Sequence, residues 1–386
     1  MNGKTVVIVG AGVMGTSAAL AIKKKYPQCT VYLVDDQQTS IEPASRDTGK
    51  IVRTAYLADA YVKLAGEAMA MWKADSLYKD HWHQSGWFVV ERSVDGKMDV
   101  TSGPQEMTRE RFSEIFPNAR MDQIAHLTFD ASTAWVEASR ALEATIKSTA
   151  SMGVIARDGR VTELVWNGAT CTGVLLSDGT EISGDSVLLA AGYGSMSLLN
   201  TTSHDQTVGV SLLGVQLDDQ QYAKYENMPI VAVNGLGEIL PPNRDKIIKI
   251  NNARSFAVPD LCQVEAALPL TSKSPYFDEN LELLETYLPE LKDAPIAYRR
   301  YCLISDYLTE TQDFHICPVA GRAGVYLASG GSFHGWKFLP NIGQYIVRMM
   351  DGDETFYDDW SRWVALERDA RRNIHDDVVP KRAFGQ

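Results

Sequence analysis

A glycine-rich segment near the start of the chain has the residue types and spacing of a site for a dinucleotide pyrophosphate. It consists of Gly10, Ala11, Gly12, Val13, Met14 and Gly15. The first glycine permits a tight turn, the second lets backbone N–H groups approach the phosphates, and the third lets a helix pack close to a strand. Asp35 follows Gly15 by about 20 residues, where a carboxylate accepts hydrogen bonds from a ribose hydroxyl, and Asp36 comes next.

The elements around this segment are those that a pyrophosphate site needs. Residues 5–9 are apolar and mostly β-branched, an alanine-rich helical stretch follows the glycines, and residues 30–34 form a second apolar run. The order predicts a right-handed βαβ unit that ends at Asp35. The alternative is a glycine turn that binds no ligand, and the motif alone does not separate NAD from FAD.

The rest of the chain favours FAD, because the βαβ alternation stops after the second strand. Residues 44–130 form mixed, aromatic-rich segments, and residues 135–153 have helical periodicity. Asp-Gly and Asn-Gly turns predict a three-stranded β-meander over residues 154–183. Two later segments, at 185–195 and 324–352, each have the pattern of a buried strand that runs into a glycine turn. In the later segment a helix follows the turn.

This alternation predicts two discontinuous domains. We assign to the FAD-binding domain residues 1–45, 135–205 and 315–386, and to a substrate domain residues 46–134 and 206–314.

Composition excludes several other classes of protein. Hydrophobic residues make up 45% of the chain and charged residues 22%, the proportions of an ordinary globular protein, and the net charge of −12 disfavours nucleic acid as a partner. No apolar run is long enough to span a bilayer. The five cysteines are widely spaced, without Cys/His clusters at zinc spacing. The sequence therefore predicts no metal site and a reducing compartment. We also expect a monomer. Because the sequence also predicts no secretory signal, and residues 384–386 are not the peroxisomal tripeptide, we expect a cytoplasmic location.

Five segments, in order along the chain, carry a resemblance to a known family. They are DTGKIVRTAY at 47–56, MWKADSLYKDHWHQSGWFVV at 71–90, DKIIKI at 245–250, RRYCLISDYLTETQDFHI at 299–316 and GGSFHGWKF at 330–338. Together they resemble the FAD-dependent amine oxidases of monomeric sarcosine oxidase, the fungal fructosyl amino acid (ketoamine) oxidases and the saccharopine oxidases. The resemblance implies a mixed α/β fold, in which a glutathione-reductase-like FAD-binding Rossmann domain is interleaved with a substrate domain built on a mixed β-sheet.

The resemblance also implies roles for particular residues. Cys302 matches the cysteine that bonds covalently to the flavin 8-methyl carbon, and Lys249 the lysine that promotes reaction with oxygen near flavin N5. Lys337 and Arg53 match the cations that hold the substrate carboxylate, and Lys337 also belongs to the cofactor-binding set. His334 matches a histidine beside the flavin. The remaining implied cofactor-binding residues are Asp36, Ser45, Lys50, Val161 and Gly335.

The same residues have simpler interpretations without the family. A lone cysteine is most often a small buried hydrophobe, a lysine on a strand most often faces solvent, and a lone histidine is most often structural. The chain also departs from the family at Ile304, Phe333 and Trp336, which indicates a pocket unlike that for sarcosine. A bulkier or more aromatic N-substituted amino acid is the expected substrate.

The function that follows is oxidation of a secondary amine attached to an amino acid. The resemblance implies hydride transfer from the α-carbon to flavin N5, an imine product, and reduction of O2 to hydrogen peroxide. One alternative is a biosynthetic amine oxidase whose imine is trapped intramolecularly. Others are a flavin dehydrogenase that uses another electron acceptor, and a cofactor-binding scaffold without turnover.

Overall fold

The structure is a computed structural model, which describes residues 1–37, 43–92, 105–106, 109–199, 205–258, 275–307, 312–364 and 382–383. It has the predicted mixed α/β character. The strands are β1 Thr5–Val9, β2 Thr30–Asp35, β3 Lys50–Val52, β4 Trp82–His83, β5 Trp87–Glu91, β6 Gln105–Glu106, β7 His126–Asp130, β8 Ala134–Val136, β9 Ile155–Asp158, β10 Val161–Asn167, β11 Thr170–Leu176, β12 Glu181–Ser183, β13 Ser186–Leu189, β14 Asp205–Gln216, β15 Ile230–Val233, β16 Gly237–Leu240, β17 Ile247–Asn252, β18 Phe256–Ala257, β19 Ile296–Tyr307, β20 His315–Pro318, β21 Val325–Ser329 and β22 Arg382–Ala383. The α-helices are α1 Val13–Lys25, α2 Asp59–Ala74, α3 Arg109–Ile115, α4 Ala138–Ser151, α5 Ser195–Leu199, α6 Asp219–Tyr225, α7 Asp278–Tyr287, α8 Ile342–Met350, α9 Glu354–Asp359 and α10 Ser361–Val364.

The predicted βαβ unit forms the centre of a six-stranded sheet. The strand order is β20-β21-β13-β1-β2-β9, and all neighbours are parallel except β20 and β21. Val6, Val7 and Ile8 on β1 have no exposed surface, as expected for a strand covered on both faces. Helix α1 packs against α8 so closely that a Cβ on Gly343 would lie 2.0 Å from the carbonyl oxygen of Ser17.

The predicted meander is confirmed in part. Strands β10, β11 and β12 form a three-stranded antiparallel sheet. The prediction was wrong for β9, which pairs in parallel with β2 and joins the six-stranded sheet. The amide of Gly159 donates to the carbonyl of Asp35, so the chain at Asp158-Gly159 passes from one sheet to the other and does not close a hairpin.

A ten-stranded mixed sheet contains most of the remaining strands. Its order is β22-β18-β14-β17-β16-β15-β5-β7-β6, and β19 also pairs with β14. The long antiparallel pair of β14 and β19 brings Cys302 opposite Val210, and β17 sets Lys249 opposite Gly214. A small sheet, β3-β8-β4, carries Lys50. The division into two discontinuous domains stays a prediction.

The helices of the described residues are at most 16 residues long. None of them combines the length and the apolar character that crossing a membrane would need.

Candidate active site

The glycine-rich segment forms a tight turn between β1 and α1. Gly10 has φ +103°, and a Cβ there would lie 2.5 Å from the carbonyl oxygen of Ala190. A Cβ on Gly15 would lie 1.9 Å from the carbonyl oxygen of Gly10. A Cβ on Gly12 would lie 2.9 Å from the Ser45 hydroxyl oxygen. Backbone atoms therefore leave no room for a side chain at Gly10 and Gly15, and at Gly12 the Ser45 side chain would have to move.

Polar side chains hold this turn from two directions. Asp35 accepts a hydrogen bond from the amide of Ala11 at 3.0 Å, and Ser45 accepts one from the amide of Val13 at 3.0 Å. The second carboxylate oxygen of Asp35 pairs with Arg46 at 2.9 Å. These contacts fix the acidic residue at the end of β2 directly beside the turn.

A cavity of about 630 Å³ opens over the turn. We call it the larger cavity. Its lining includes these residues from the predicted cofactor-binding set: Gly10, Gly12, Val13, Met14, Asp35, Asp36, Ser45, Lys50, Val161 and Gly335. Ala11 and Gly15 belong to the turn without lining the cavity. Sequence analysis missed Arg160, which pairs with Asp36 at 2.8 Å, and residues 190–194, although their strand-then-glycine pattern was a usable signal.

A second space of about 160 Å³, which we call the adjoining pocket, shares part of its wall with the larger cavity. Both spaces are lined by Lys50, Ile304, Phe333 and Trp336. The adjoining pocket also brings together four of the predicted site residues, Arg53, Cys302, His334 and Lys337. Three of these lie far apart in the sequence, so their convergence is a property of the fold.

Lys337 begins a buried hydrogen-bond chain. Its Nζ donates to the Tyr56 hydroxyl at 2.7 Å, and that hydroxyl lies 3.1 Å from His334 Nδ1. His334 Nε2 lies 2.7 Å from the carbonyl oxygen of Gln312. Since a carbonyl can only accept, Nε2 carries a proton and donates a hydrogen bond to Gln312, and the Tyr56 hydroxyl lies between Lys337 Nζ and His334 Nδ1. Burial raises the pKa of Tyr56, which keeps its hydroxyl protonated.

The charge state of Lys337 depends on its surroundings. Burial and then the neighbouring charge of Arg53 lower the pKa of Lys337 well below its ordinary value, while Glu238 acts weakly in the opposite direction. Arg53 is itself held with its guanidinium 5.2 Å from the Tyr56 ring centre and 5.5 Å from that of Trp87. An anionic ligand in the pocket would supply the negative charge that Lys337 needs to be a cation.

A single buried carboxylate, that of Asp47, binds three cations. Its side chain is 1% exposed, and it contacts Lys50 at 2.8 Å, Arg300 at 2.6 Å and the Nζ of Lys249. Burial alone would raise the pKa of Asp47, but the three positive charges outweigh it and hold that pKa well below its ordinary value.

Lys249 is also buried, and its Nζ donates to the carbonyl oxygen of Gly49 at 2.8 Å as well as to Asp47. Burial lowers the pKa of Lys249 to about 8, with Asp47 opposing that change and Lys50 adding to it. Lys249 lines neither the larger cavity nor the adjoining pocket. It is connected to both spaces through Asp47 and Lys50, and its predicted role beside the flavin stays a prediction.

Cys302 is the only cysteine among the described residues that lines either space. It lies on β19 and is 4% exposed. Cys317 packs in the core beneath the six-stranded sheet, and Cys29 and Cys171 are likewise buried. Cys262 lies outside the described residues.

The turn after β21 has strained backbone. Ser332 has φ +42° and Phe333 has φ +68°, values at which side chains larger than hydrogen cost about 1–3 kcal/mol. In this backbone conformation Phe333 lies in the wall shared by the two spaces. Trp336 completes that wall, with its indole N–H donating to the carbonyl of Ser45 at 3.1 Å.

The donor set of the larger cavity fits a dinucleotide cofactor. A turn that leaves no room for Cβ atoms, a helix N-terminus and an acid at the end of the second strand are the three parts that such a cofactor needs. In the parts of the chain that the structure describes, no group of three or more histidine, cysteine, aspartate or glutamate residues could hold a metal ion.

Comparison with known proteins identifies the family. Residues 5–349 match the model of a family described as FAD dependent oxidoreductase. The chain belongs to this family. An L-saccharopine oxidase of Schizosaccharomyces pombe is 30% identical, over 93% of this chain and 93% of its own length. An amino acid oxidase of Aspergillus flavus, imqH, is 21% identical, over 90% of this chain and 92% of its own length.

Solved structures agree on the fold. Fructosamine oxidase from Aspergillus fumigatus (Amadoriase II) superposes with a TM-score of 0.84 at 24% identity, covering 100% of this chain and 94% of that chain. A thermally stable mutant of fructosyl peptide oxidase gives a TM-score of 0.84 at 24% identity, covering 99% of this chain and 97% of that chain. The protein is therefore an FAD-dependent oxidoreductase with the fold that the sequence resemblance implies.

We predict that Asp47→Asn strongly destabilises the protein. Because the folded-state pKa of Asp47 is lowered, its contribution to stability is present above the ordinary aspartate pKa of about 3.9 and is lost as the pH falls through the folded value. Removing the charge leaves three cations without their counterion, which costs about 3–5 kcal/mol. Denaturant unfolding of the FAD-saturated protein at neutral pH measures the loss.

The matched control is Asp219→Asn, since Asp219 pairs with Lys246 but its side chain is 88% exposed. We expect little change there, because exposed ion pairs contribute little to stability. The difference between wild type and Asp47→Asn should also shrink below about pH 4. Equal unfolding free energies for the two variants would show that Asp47 does not hold the three cations together.

Proposed function

We propose that the protein is an oxidase of secondary amines in N-substituted amino acids. The observation that carries the proposal is the adjoining pocket, where Lys337 and Arg53 lie beside a cavity that fits FAD. These two basic side chains favour a substrate that carries a carboxylate, which would bring the negative charge that Lys337 needs to be a cation. The likeness to an L-saccharopine oxidase supports an N-carboxyalkyl amino acid as the substrate class.

Bound FAD supplies the two-electron acceptor, which takes a hydride equivalent from the carbon next to the amine nitrogen. The residues of the pocket bind and orient the substrate. Lys337 and Arg53 hold the carboxylate, and the aromatic wall of Phe333 and Trp336 excludes water. Water exclusion favours the neutral amine over the ammonium ion, and only the neutral amine has the lone pair that the reaction uses. Water then hydrolyses the imine product.

For the second half of the reaction we propose O2 as the acceptor and hydrogen peroxide as the product. Lys249 supports this choice, because Asp47 and Gly49 hold its ammonium in a fixed position and its pKa of about 8 leaves it mainly cationic at neutral pH. A fixed positive charge stabilises negative charge as it develops on oxygen, most effectively where water is scarce. A dehydrogenase that passes electrons to another carrier needs no such charge.

We also propose that Cys302 forms a thioether with the flavin 8-methyl carbon. Support comes from its place in the wall of the adjoining pocket, next to Ile304, which lines both spaces. Forming the C–S bond removes one hydrogen from the thiol and one from the methyl group, and O2 is the proposed oxidant.

We also propose that the protein is a monomer in the cytoplasm. The location is supported by the five widely spaced cysteines, which fit a reducing compartment.

The test of the proposed function is a peroxide-release screen of the purified protein. We expect peroxide from N-carboxyalkyl or other bulky N-substituted amino acids, and little from sarcosine, because Phe333 and Trp336 shape the pocket. Primary D- and L-amino acids serve as controls. Peroxide from primary amino acids alone would contradict the secondary-amine assignment.

We predict that Lys249→Met slows reoxidation by O2 by about a hundredfold, the usual effect of losing one preorganised charge. Reduction by substrate should slow far less. Stopped-flow measurement of the two half-reactions separates them. Lys63→Met is the control, because Lys63 is exposed on α2 and lines neither space. Equal slowing of both half-reactions would show that Lys249 does not specifically promote the reaction with O2.

We predict that Cys302→Ala abolishes covalent flavin. Wild-type protein precipitated with acid should stay yellow, whereas precipitated Cys302→Ala should release its colour to the supernatant. Cys317→Ala is the matched control, since Cys317 is equally buried but lines neither space. A yellow precipitate from Cys302→Ala would show that the flavin is attached to another residue.

A further inference from the structure

The adjoining pocket contains an acidic residue that none of the proposed steps uses. Glu238, on β16, is the only carboxylate among the described residues that line this pocket. Its side chain accepts a hydrogen bond from Asn251 Nδ2 at 3.0 Å. In the described parts of the chain Glu238 forms no ion pair, so its single identified partner is a neutral amide.

Asn251 adds a second acceptor at the same place. Because its Nδ2 donates to Glu238, the other atom of the amide is the carbonyl oxygen Oδ1. This Oδ1 is buried and has no hydrogen-bond partner among the described residues. Glu238 and Asn251 both line the pocket, so its wall contains acceptors, and a buried acceptor without a donor is costly.

The opposite charge lies elsewhere in the same wall. The lysine and arginine side chains that line this pocket are Lys50, Arg53 and Lys337, and of these Lys50 is paired with Asp47. The pocket thus contains donors that suit a carboxylate and acceptors that suit a donor. A half-buried carboxylate with no cation is best satisfied by a ligand that brings one, since a hydroxyl would leave its charge uncompensated.

We propose that Glu238 and Asn251 form a subsite for a primary ammonium group of the substrate. The substrate would then carry its carboxylate at Lys337 and Arg53, its secondary amine beside the larger cavity, and a second amine at Glu238. This inference rests on the proposed function and narrows it to N-substituted amino acids with a second, cationic amine.

The test compares ligands that differ only at their far end. N-(aminopentyl)glycine, N-(hydroxypentyl)glycine and N-pentylglycine share the carboxylate and the secondary amine, and the aminopropyl and propyl pair covers a shorter reach. We expect wild-type kcat/KM for the best aminoalkyl compound to exceed that of its alkyl partner by about tenfold or more, mainly through KM. The hydroxypentyl compound should behave like the pentyl compound.

Glu238→Gln keeps the shape and removes the charge, so the aminoalkyl preference should fall to near unity. The matched control is Glu226→Gln, because Glu226 is exposed and lines neither space. The inference is overturned if Glu238→Gln keeps the wild-type preference, or if wild type has none. The comparison within wild type needs no variant to fold.

Binding of unreactive analogues separates this inference from the proposed function. In (aminopentylthio)acetate and (pentylthio)acetate sulfur replaces the secondary amine nitrogen, so neither compound can form an imine at that position. Thermal shift of the FAD-bound protein should give tighter binding of the aminopentyl compound by about tenfold in wild type, and equal binding in Glu238→Gln. Oxidation without any ammonium preference would sink the subsite alone. Glu238-dependent binding without oxidation of any secondary amine would contradict the proposed function alone. Each of these two results therefore contradicts one proposal and leaves the other standing.

Discussion

The structure around the candidate site depends on one buried ion cluster, that of Asp47 with its three cations. Lys50 comes from β3, Lys249 from β17 and Arg300 from β19, so a single carboxylate ties the small sheet to the ten-stranded sheet. Burying any one of these charges alone would cost several kcal/mol, of order ten or more in a dry interior. Their mutual neutralisation lets the chain keep an ammonium at a fixed position inside the protein.

The two buried lysines of this region show how neighbours decide what a side chain can do. Lys249 has a built-in counterion and keeps a pKa of about 8. Lys337 has the Tyr56 hydroxyl as its hydrogen-bond acceptor and Arg53 as a neighbouring cation, so its pKa lies well below the ordinary value. Lys249 can therefore act as a fixed positive charge. Lys337 is stabilised as a cation by a ligand that brings negative charge into the pocket.

Local patterns were predictable from the sequence, and long-range contacts were not. The β1–α1–β2 unit follows from apolar runs and glycines within about thirty residues, and it is confirmed. The prediction for β9 failed because that strand pairs with β2, far away in the chain. Asp47 lies 202 residues from Lys249, and no local pattern reveals that pair. Arg53, Cys302 and Lys337 came from family resemblance; periodicity and spacing alone did not identify them.

The strained turn at Phe333 connects the shape of the pocket to its charges. A phenylalanine at φ +68° is costly, so the surrounding structure must hold it there, and what it provides is an apolar wall between the two spaces. Burial depresses the pKa of Lys337, and an apolar wall lowers the local dielectric constant, which strengthens charge interactions in the pocket. If they bind the substrate as proposed, Glu238 and Arg53 would consequently discriminate between ligands more sharply than they would in water. In the proposed function, shape and charge are therefore not independent determinants of specificity, because the aromatic wall affects the strength of each charge interaction with the ligand.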